Sequence, residues 1–442
     1  MSKKQKNPFS RHFLLLLAGQ TISQMGSSMT GFAVIIWAYS STGQVMASSL
    51  LAVCSAVPYL IVSLFGGAAA DRMNKKRIML LCDTIAAAGS LVLLLCVSCN
   101  VLQLWILCAV NILSGFMNAF QGPASQVAVT LLVEEKDYAR AGGLQSALGA
   151  VCGMLNPILA AALLGFGGLR LVLAVDLATF LFAFLVLLLF IRIPDTVSEG
   201  ERVSLRELGR SMKEGIGFLR GQKSILLLLV MFSVLEFLGA ISFDSMYSPL
   251  LLARTGNDEA VVGIVSSVAA AGGLGASLLM SVAKPPARKL RVMFAGAVMC
   301  LTGILLFGMG RSLLWWCVVV FLGCFGSPVY QTYQTVILRE RVPVAMQGRI
   351  FSLQGMITQS LTPLGCLAGA ALADWVFEPF MQRTGAWQTL FGRLVGTGSG
   401  AGMGLMFVFA GACGILLCLL FGASSNLREL ERDNAGEAMQ SR

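Results

Sequence analysis

Apolar residues run through this chain in blocks of about 20 to 25, broken by short charged or Gly/Pro-containing intervals, and that block length is what an α-helix needs to cross a bilayer. Reading the blocks against the charges predicts twelve spans, at 13–38, 45–70, 78–98, 101–122, 141–165, 170–191, 224–252, 260–283, 291–309, 313–337, 349–373 and 401–423. The first span follows a basic segment (Lys3, Lys4, Lys6, Arg11), but it is too long for a signal-peptide apolar core, is interrupted by Gln20 and Gln24, and shows no small-residue cleavage site. A retained first helix is expected. Residues 1–12 are then an N-terminal extension, 192–223 the longest connection, and 424–442 a tail, with a six-span bundle at 13–191 and another at 224–423.

Composition sharpens the pattern. Hydrophobic residues make up 56% of the 442 positions and charged residues only 12%, and the mean hydropathy is +0.79. A soluble domain carries about twice that charge, so the fold class is all-α and polytopic, and soluble-enzyme readings are excluded. The net charge of +10 would suggest nucleic acid in a soluble protein. Here the basic residues fall between the spans, where they set topology, and no nucleic-acid partner is expected. Arg170, Arg254, Arg311, Arg383 and Arg393 lie on one set of loops, while every other Lys and Arg lies on the opposite set or in the terminal segments. The positive-inside rule then places both termini in the cytoplasm and the chain in the cell membrane.

Within 192–223, Leu205, Leu208, Met212, Ile216 and Leu219 recur at helical spacing opposite Arg206, Glu207, Arg210, Lys213 and Glu214, which predicts an amphipathic helix on the cytoplasmic membrane surface. The halves on either side are related. Pro123, Gln126, Thr130 and Glu135 recur 205 positions later as Pro328, Gln331, Thr335 and Glu340, and Leu155-Asn156-Pro157 recurs as Leu361-Thr362-Pro363. A duplicated six-helix unit explains this, and parallel repeats place a substrate site between halves near the midplane.

The loop after the second span reads Gly66-Gly67-Ala68-Ala69-Ala70-Asp71-Arg72-Met73-Asn74-Lys75-Lys76-Arg77. It resembles the G-x-x-x-D-R-x-G-R-K signature of the major facilitator superfamily, with Asn74 where glycine is usual; asparagine tolerates left-handed backbone, so a turn is retained. With the first-span Gly19-Gln20 and the Ser204-to-Lys223 segment, the chain resembles the macrolide-efflux branch of the drug:proton antiporters. Gly67 and Asp71 share a helix face, and Gly67 allows close approach of a neighbouring helix. Asp71 at its helix end suits the positive N-terminus of another helix, which the resemblance identifies as the eleventh, beginning near Gly348-Arg349. Gly67, Asp71, Arg72, Lys75 and Lys76 are thus a candidate latch. In the fifth span Gly149, Gly153 and Pro157, at i, i+4 and i+8, resemble the Gly/Pro-rich antiporter motif that packs on the eighth helix, with Asn156-Pro157 for the usual Gly-Pro and Ala160-Ala161 for the following Gly-Gly.

Five acids lie in or at the ends of spans: Asp83, Asp176, Glu236, Asp244 and Asp374. Asp83 and Asp176 sit one and two turns inside their spans, within reach of water or capping partners, and Asp374 is at the outer end of the eleventh. Glu236 is mid-span. An ionisable group there costs roughly 3 kcal/mol and belongs in an internal cavity, where it can exchange a proton, pair with a cationic substrate, or hydrogen-bond a neighbouring helix. Asp244 can continue a path outward. Candidate cavity-lining residues are Gln20 and Gln24 (with Ser27 and Gly31), Asn111 and Asn118 (with Gln121), Tyr330, Gln331 and Gln334 (with Tyr333), and Gln354, Thr358 and Gln359.

The single histidine, His12, argues against His-based zinc sites and triads, and neither metal nor cofactor is expected. The twelve cysteines lie mostly inside apolar runs, with no paired CxxC, so they read as small apolar packing residues without a structural disulfide. The absence of a Walker loop speaks against direct ATP drive. The expectation is a monomeric, proton-coupled secondary transporter of bacterial type that exports an amphipathic small molecule by alternating access, with protons and the lipid bilayer as its other partners. Export of a siderophore-like metabolite and lysolipid flipping remain open, while a membrane-embedded enzyme lacks the required cluster of catalytic groups.

Overall fold

In a bilayer every backbone polar group must find its partner within the protein, and helices do this internally. The computed structural model describes residues 11–72, 74–133, 138–191, 217–282, 286, 288–342, 344–383 and 385–424, and its regular secondary structure is entirely helical. In chain order the helices are α1 (Arg11–Thr42), α2 (Val45–Arg72), α3 (Lys75–Ser98), α4 (Leu104–Leu132) and α5 (Tyr138–Phe190), then α6 (Lys223–Gly239) and α7 (Ser245–Thr255), joined by a π-helical turn at Ala240–Asp244. After these come α8 (Glu259–Val282), α9 (Lys289–Met309), α10 (Leu313–Arg341), α11 (Val344–Leu372), a second π-turn (Ala373–Phe377), α12 (Glu378–Gln382), α13 (Ala386–Val395) and α14 (Ala401–Ala423).

Ten stretches of described helix are long and apolar enough to cross a membrane. One of them, Ala147–Phe190, runs 44 residues and covers most of two of the expected spans, 141–165 and 170–191. It breaks at Gly168, whose φ of 63° is a backbone that side-chain-bearing residues rarely adopt. α1 is not among the ten, because Gln20, Ser23, Gln24 and Ser27 dilute its apolar character. The expected surface helix falls mostly at 192–216, outside the described residues, as do 1–10 and 425–442.

Contacts divide the chain into two compact units: residues 1–43 with 50–202, and 44–49 with 203–442. In the first unit, Leu16 of α1, Ile78, Met79 and Cys82 of α3, Ala124 and Ala128 of α4, and Leu187 and Ile191 at the end of α5 form one buried cluster. The end of α5 is closed by side chains. Lys76 Nζ donates to the Leu188 and Ile191 carbonyls at 2.9 and 2.8 Å, and His12 Nδ1 lies 3.0 Å from the Phe190 carbonyl. Cations at a helix C-terminus satisfy its orphan carbonyls and suit its dipole. Asn74 has φ −61° rather than a left-handed backbone. It N-caps α3, its side chain accepting from the Arg77 amide at 3.0 Å.

In the second unit α11 lies against the π-turn at 240–244. Gly365 and Gly369, one turn apart, make the approach possible: a Cβ on Gly365 would come 2.6 Å from the Ala240 Cβ, and one on Gly369 would meet the Ile241 carbonyl and stand 2.6 Å from Ser245 Oγ. Residues 44–49, the first turn of α2, group with this unit. The Val45 and Met46 amides donate to the Asp374 carboxylate at 3.0 and 2.8 Å, so a residue more than 300 positions away caps that helix. The sequence pattern assigned no element between the last two spans, where the structure has α12 and α13. Trp387, Leu390 and Leu394 are exposed along α13, as an interfacial helix requires.

Candidate functional site

Each unit contains its own internal cavity. In the second unit Glu236, near the C-terminal end of α6, and Asp244, at the end of the π-turn, line a cavity of about 260 Å³. Eight residues of ideal α-helix would rotate Asp244 by about 80° from Glu236; the residue inserted by a π-turn takes back about 100°, returning both acids to nearly one face. Tyr330 of α10 crosses to Glu236, its Oη donating to Oε1 at 2.5 Å, and the Tyr330 ring packs on Phe232 with centroids 5.8 Å apart. Gln331 also lines the cavity, and its Nε2 donates to Ser327 Oγ at 3.2 Å. The remaining wall is apolar. Phe243 and Phe307 stand 6.0 Å apart, Tyr247 stacks on Phe307 at 5.3 Å, and Phe407 packs behind Phe307 at 5.2 Å.

In the first unit Gln20, Gln24 and Ser27 of α1, Asp83 and Ser90 of α3, Asn118 and Gln121 of α4 and Asp176 of α5 line a larger cavity of about 410 Å³. Of the two alternatives expected for Asp83 and Asp176, water or hydrogen-bonding partners, the structure shows partners: each acid is only 4% exposed. Neighbouring helices cover both carboxylates. Their pairing with Gln121, Ser27 and Ser90 joins residues far apart in the chain and leaves no local pattern.

Of the expected lining residues, Gln20, Gln24, Ser27, Asn118, Gln121, Tyr330 and Gln331 line one of these two cavities. Asn111 and Gln334 have other partners. Asn111 donates to the Leu107 carbonyl of its own helix at 2.9 Å. Gln334 is 1% exposed and accepts from Gln354 at 3.4 Å, so its polar end is used in packing α10 on α11. Gly149 and Gly153 face open space: a Cβ added at either would meet nothing within 4 Å. The side chains of Gly67, Asp71 and Arg72 lie outside the described residues; the backbone of α2 is helical through Arg72. Lys75 is buried at 3% exposure, and Lys76 closes the end of α5 as described above. All twelve cysteines are free, and among the described residues no group of three His, Cys, Asp or Glu side chains is placed to hold a metal ion.

Membrane-length apolar helices enclosing cavities lined by ionisable side chains are the build of a multi-pass membrane transporter. The chain belongs to the Major Facilitator Superfamily, whose family profile matches residues 16–365. It is 25% identical to macrolide efflux protein A of Streptococcus pyogenes over 372 residues, covering 83% of this chain and 91% of that protein. The protein of the same name in Enterococcus faecalis is 25% identical over 327 residues, covering 72% of this chain and all of that sequence. Among solved structures, the nucleoside transporter NupG aligns with a TM-score of 0.67 at 12% identity, over 94% of this chain and 99% of its own. A bacterial homologue of the human lysosomal transporter Spinster aligns with a TM-score of 0.66 at 15% identity, over 96% and 98%. The fold, the membrane location and a transport rather than enzymatic role follow from these matches.

Proposed function

We propose that this transporter exports an amphipathic small molecule by alternating access, driven by protons moving the other way through Glu236. The observation that carries the reading is the Tyr330–Glu236 hydrogen bond on the wall of a largely apolar cavity that no Lys or Arg lines. A carboxylate there takes a proton from water that enters the cavity and gives it back when the cavity opens on the other side. Tyr330 supplies a hydrogen bond that the carboxylate keeps after losing its proton, and Asp244 offers the next acceptor outward. Export is supported by the efflux proteins to which the chain is similar. The charge asymmetry supports cytoplasmic termini, and the bacterial relatives support a bacterial plasma membrane; we take the monomer as the working unit. The Gly67/Asp71/Arg72 loop serves in this reading as the latch its sequence resembles, and Gly149, Gly153 and Pro157 as a packing face formed in another step of the cycle.

The test uses purified protein in proteoliposomes with an imposed pH gradient and a fluorescent amphipathic substrate. Wild-type protein accumulates the substrate against its gradient. Glu236→Gln mimics the protonated acid, so it should exchange substrate without accumulating it. Uphill transport by Glu236→Gln at the wild-type rate with unchanged pH dependence would remove Glu236 from the coupling step.

A further inference from the structure

The first unit holds two buried acids that the coupling step leaves unused. Asp83 and Asp176 line the same 410 Å³ cavity, and their hydrogen bonding differs. Asp176 is satisfied at both oxygens, with Ser27 Oγ donating to Oδ1 at 3.3 Å and Ser90 Oγ to Oδ2 at 2.7 Å. Asp83 receives one bond, from Gln121 Nε2 to Oδ1 at 2.6 Å. Its Oδ2 is buried with no partner, on a side chain 96% removed from solvent. A buried carboxylate oxygen left without a donor is costly, and no Lys, Arg or His lines the cavity to offset either charge. What the cavity lacks is a positive charge carrying a hydrogen-bond donor.

Size selects among cations. A bare metal ion needs about six oxygens at just over 2 Å, whereas this cavity is as large as a small organic ligand occupies. Tyr59 and Phe180 are in its wall and add ring surface of the kind that attracts organic cations. We propose that the cavity binds a protonated amine, whose N–H bonds to the free Oδ2 of Asp83 while Asp176, held by Ser27 and Ser90, supplies the second negative charge. The transported molecule is then a cationic amine, a refinement that rests on the export reading, although the binding itself does not.

Calorimetric titration of the full-length protein in detergent tests binding apart from transport. Phenethylammonium should bind at one site per chain, and its neutral isostere 2-phenylethanol should bind at least tenfold more weakly. Asp83→Asn should weaken phenethylammonium at least tenfold, while Glu236→Gln leaves its affinity unchanged; loss with Glu236→Gln and retention with Asp83→Asn would move the amine to the other unit and overturn the proposal. Equal binding of the alcohol, no binding of the amine to wild-type protein, or displacement of the amine by millimolar Na⁺ or Ca²⁺ would also overturn it. Should Asp83→Asn fail to fold, the wild-type chain still decides: carbodiimide should label Asp83 and phenethylammonium should protect it, whereas labelling unchanged by the amine counts against the site. If Glu236→Gln transports normally while these binding results hold, the coupling reading fails and the amine site stands.

Discussion

The two cavities occupy corresponding places in the internal repeat and are built from opposite chemistry. Carrying the offset of 205 inward from Pro123 and Pro328, Gly122 and Ser125 of the first cavity become Ser327 and Tyr330 of the second, and all four line their own cavity. Around that shared frame the first unit has hydroxyls and amides aimed at two acids from α3 and α5. The second has Glu236, bonded to a phenol, and Asp244, in a mostly apolar wall that includes Phe243 and Phe307. Two carboxylates in a polar, roomy cavity, one fixed by two hydroxyls and the other with a free oxygen, suit holding a cationic ligand. A carboxylate with one donor beside apolar rings suits gaining and losing a proton as water comes and goes. In the proposed reading the two repeats divide the work, the first holding the ligand and the second moving the proton.

The largest effect that would break this division is at Glu236. Net uphill transport should fall more than 100-fold in Glu236→Gln, with amine binding intact, while Asp176→Asn should weaken amine binding and leave proton-driven exchange of neutral substrates in place. Parallel transport and calorimetric assays on equal amounts of purified protein read both. Matching losses in the two variants would show that the cavities share one role.

Much of the frame is legible in the sequence, because hydropathy reads bilayer thickness directly. Glu236 is legible for a related reason: an acid in the middle of an apolar span must face the interior. Gln20, Gln24, Tyr330 and Gln331 follow from polar residues on one helix face. Illegible are features created by neighbours. The Tyr330–Glu236 bond joins residues 94 positions apart, and Asp83 and Asp176 look peripheral until α1 and α4 cover them. The π-turn at 240–244 has no Gly or Pro signal within it, and it lies where Gly365 and Gly369 let α11 seat closely on it. Asn111 and Gln334 have the right type on the right helices, but Asn111 bonds to its own helix and Gln334 accepts from Gln354.

That tight seat gives the next effect in size. Gly369→Ala forces a methyl group into the Ile241 carbonyl and Ser245 Oγ, an overpacking that costs about 1–3 kcal/mol. The variant should melt earlier in detergent and lose uphill transport as Asp244 shifts on the π-turn. The matching substitution in the first unit is Gly26→Ala, whose Cβ would stand 2.9 Å from Asp176 Oδ1; it should weaken amine binding and spare coupling. A wild-type melting midpoint for Gly369→Ala would mean that α11 can withdraw at no cost. Tyr330→Phe removes one hydrogen bond to a charged group, worth about 1.5–3 kcal/mol. It should reduce proton-driven transport about tenfold or more and change its pH profile, whereas a packing role alone would leave the profile in place because the ring remains.

The smallest expected effect is at Asp374. Its two oxygens accept from the Val45 and Met46 amides, the first residues of α2, where four backbone donors have no partner within the helix and the helix dipole is positive. An acceptor in that place is worth about 1 kcal/mol, with the charge adding a share that salt weakens. Asp374→Asn keeps an acceptor and loses the charge, so it should lower the melting midpoint less than Asp374→Ala does. Added salt should bring the wild-type midpoint toward that of Asp374→Asn. Because the contact touches neither cavity, amine binding and the pH profile of transport should both be unchanged at temperatures where the protein is folded. A change in either would tie the outer end of α11 to the π-turn and its acids, through the same helix whose glycines seat against Ala240 and Ile241.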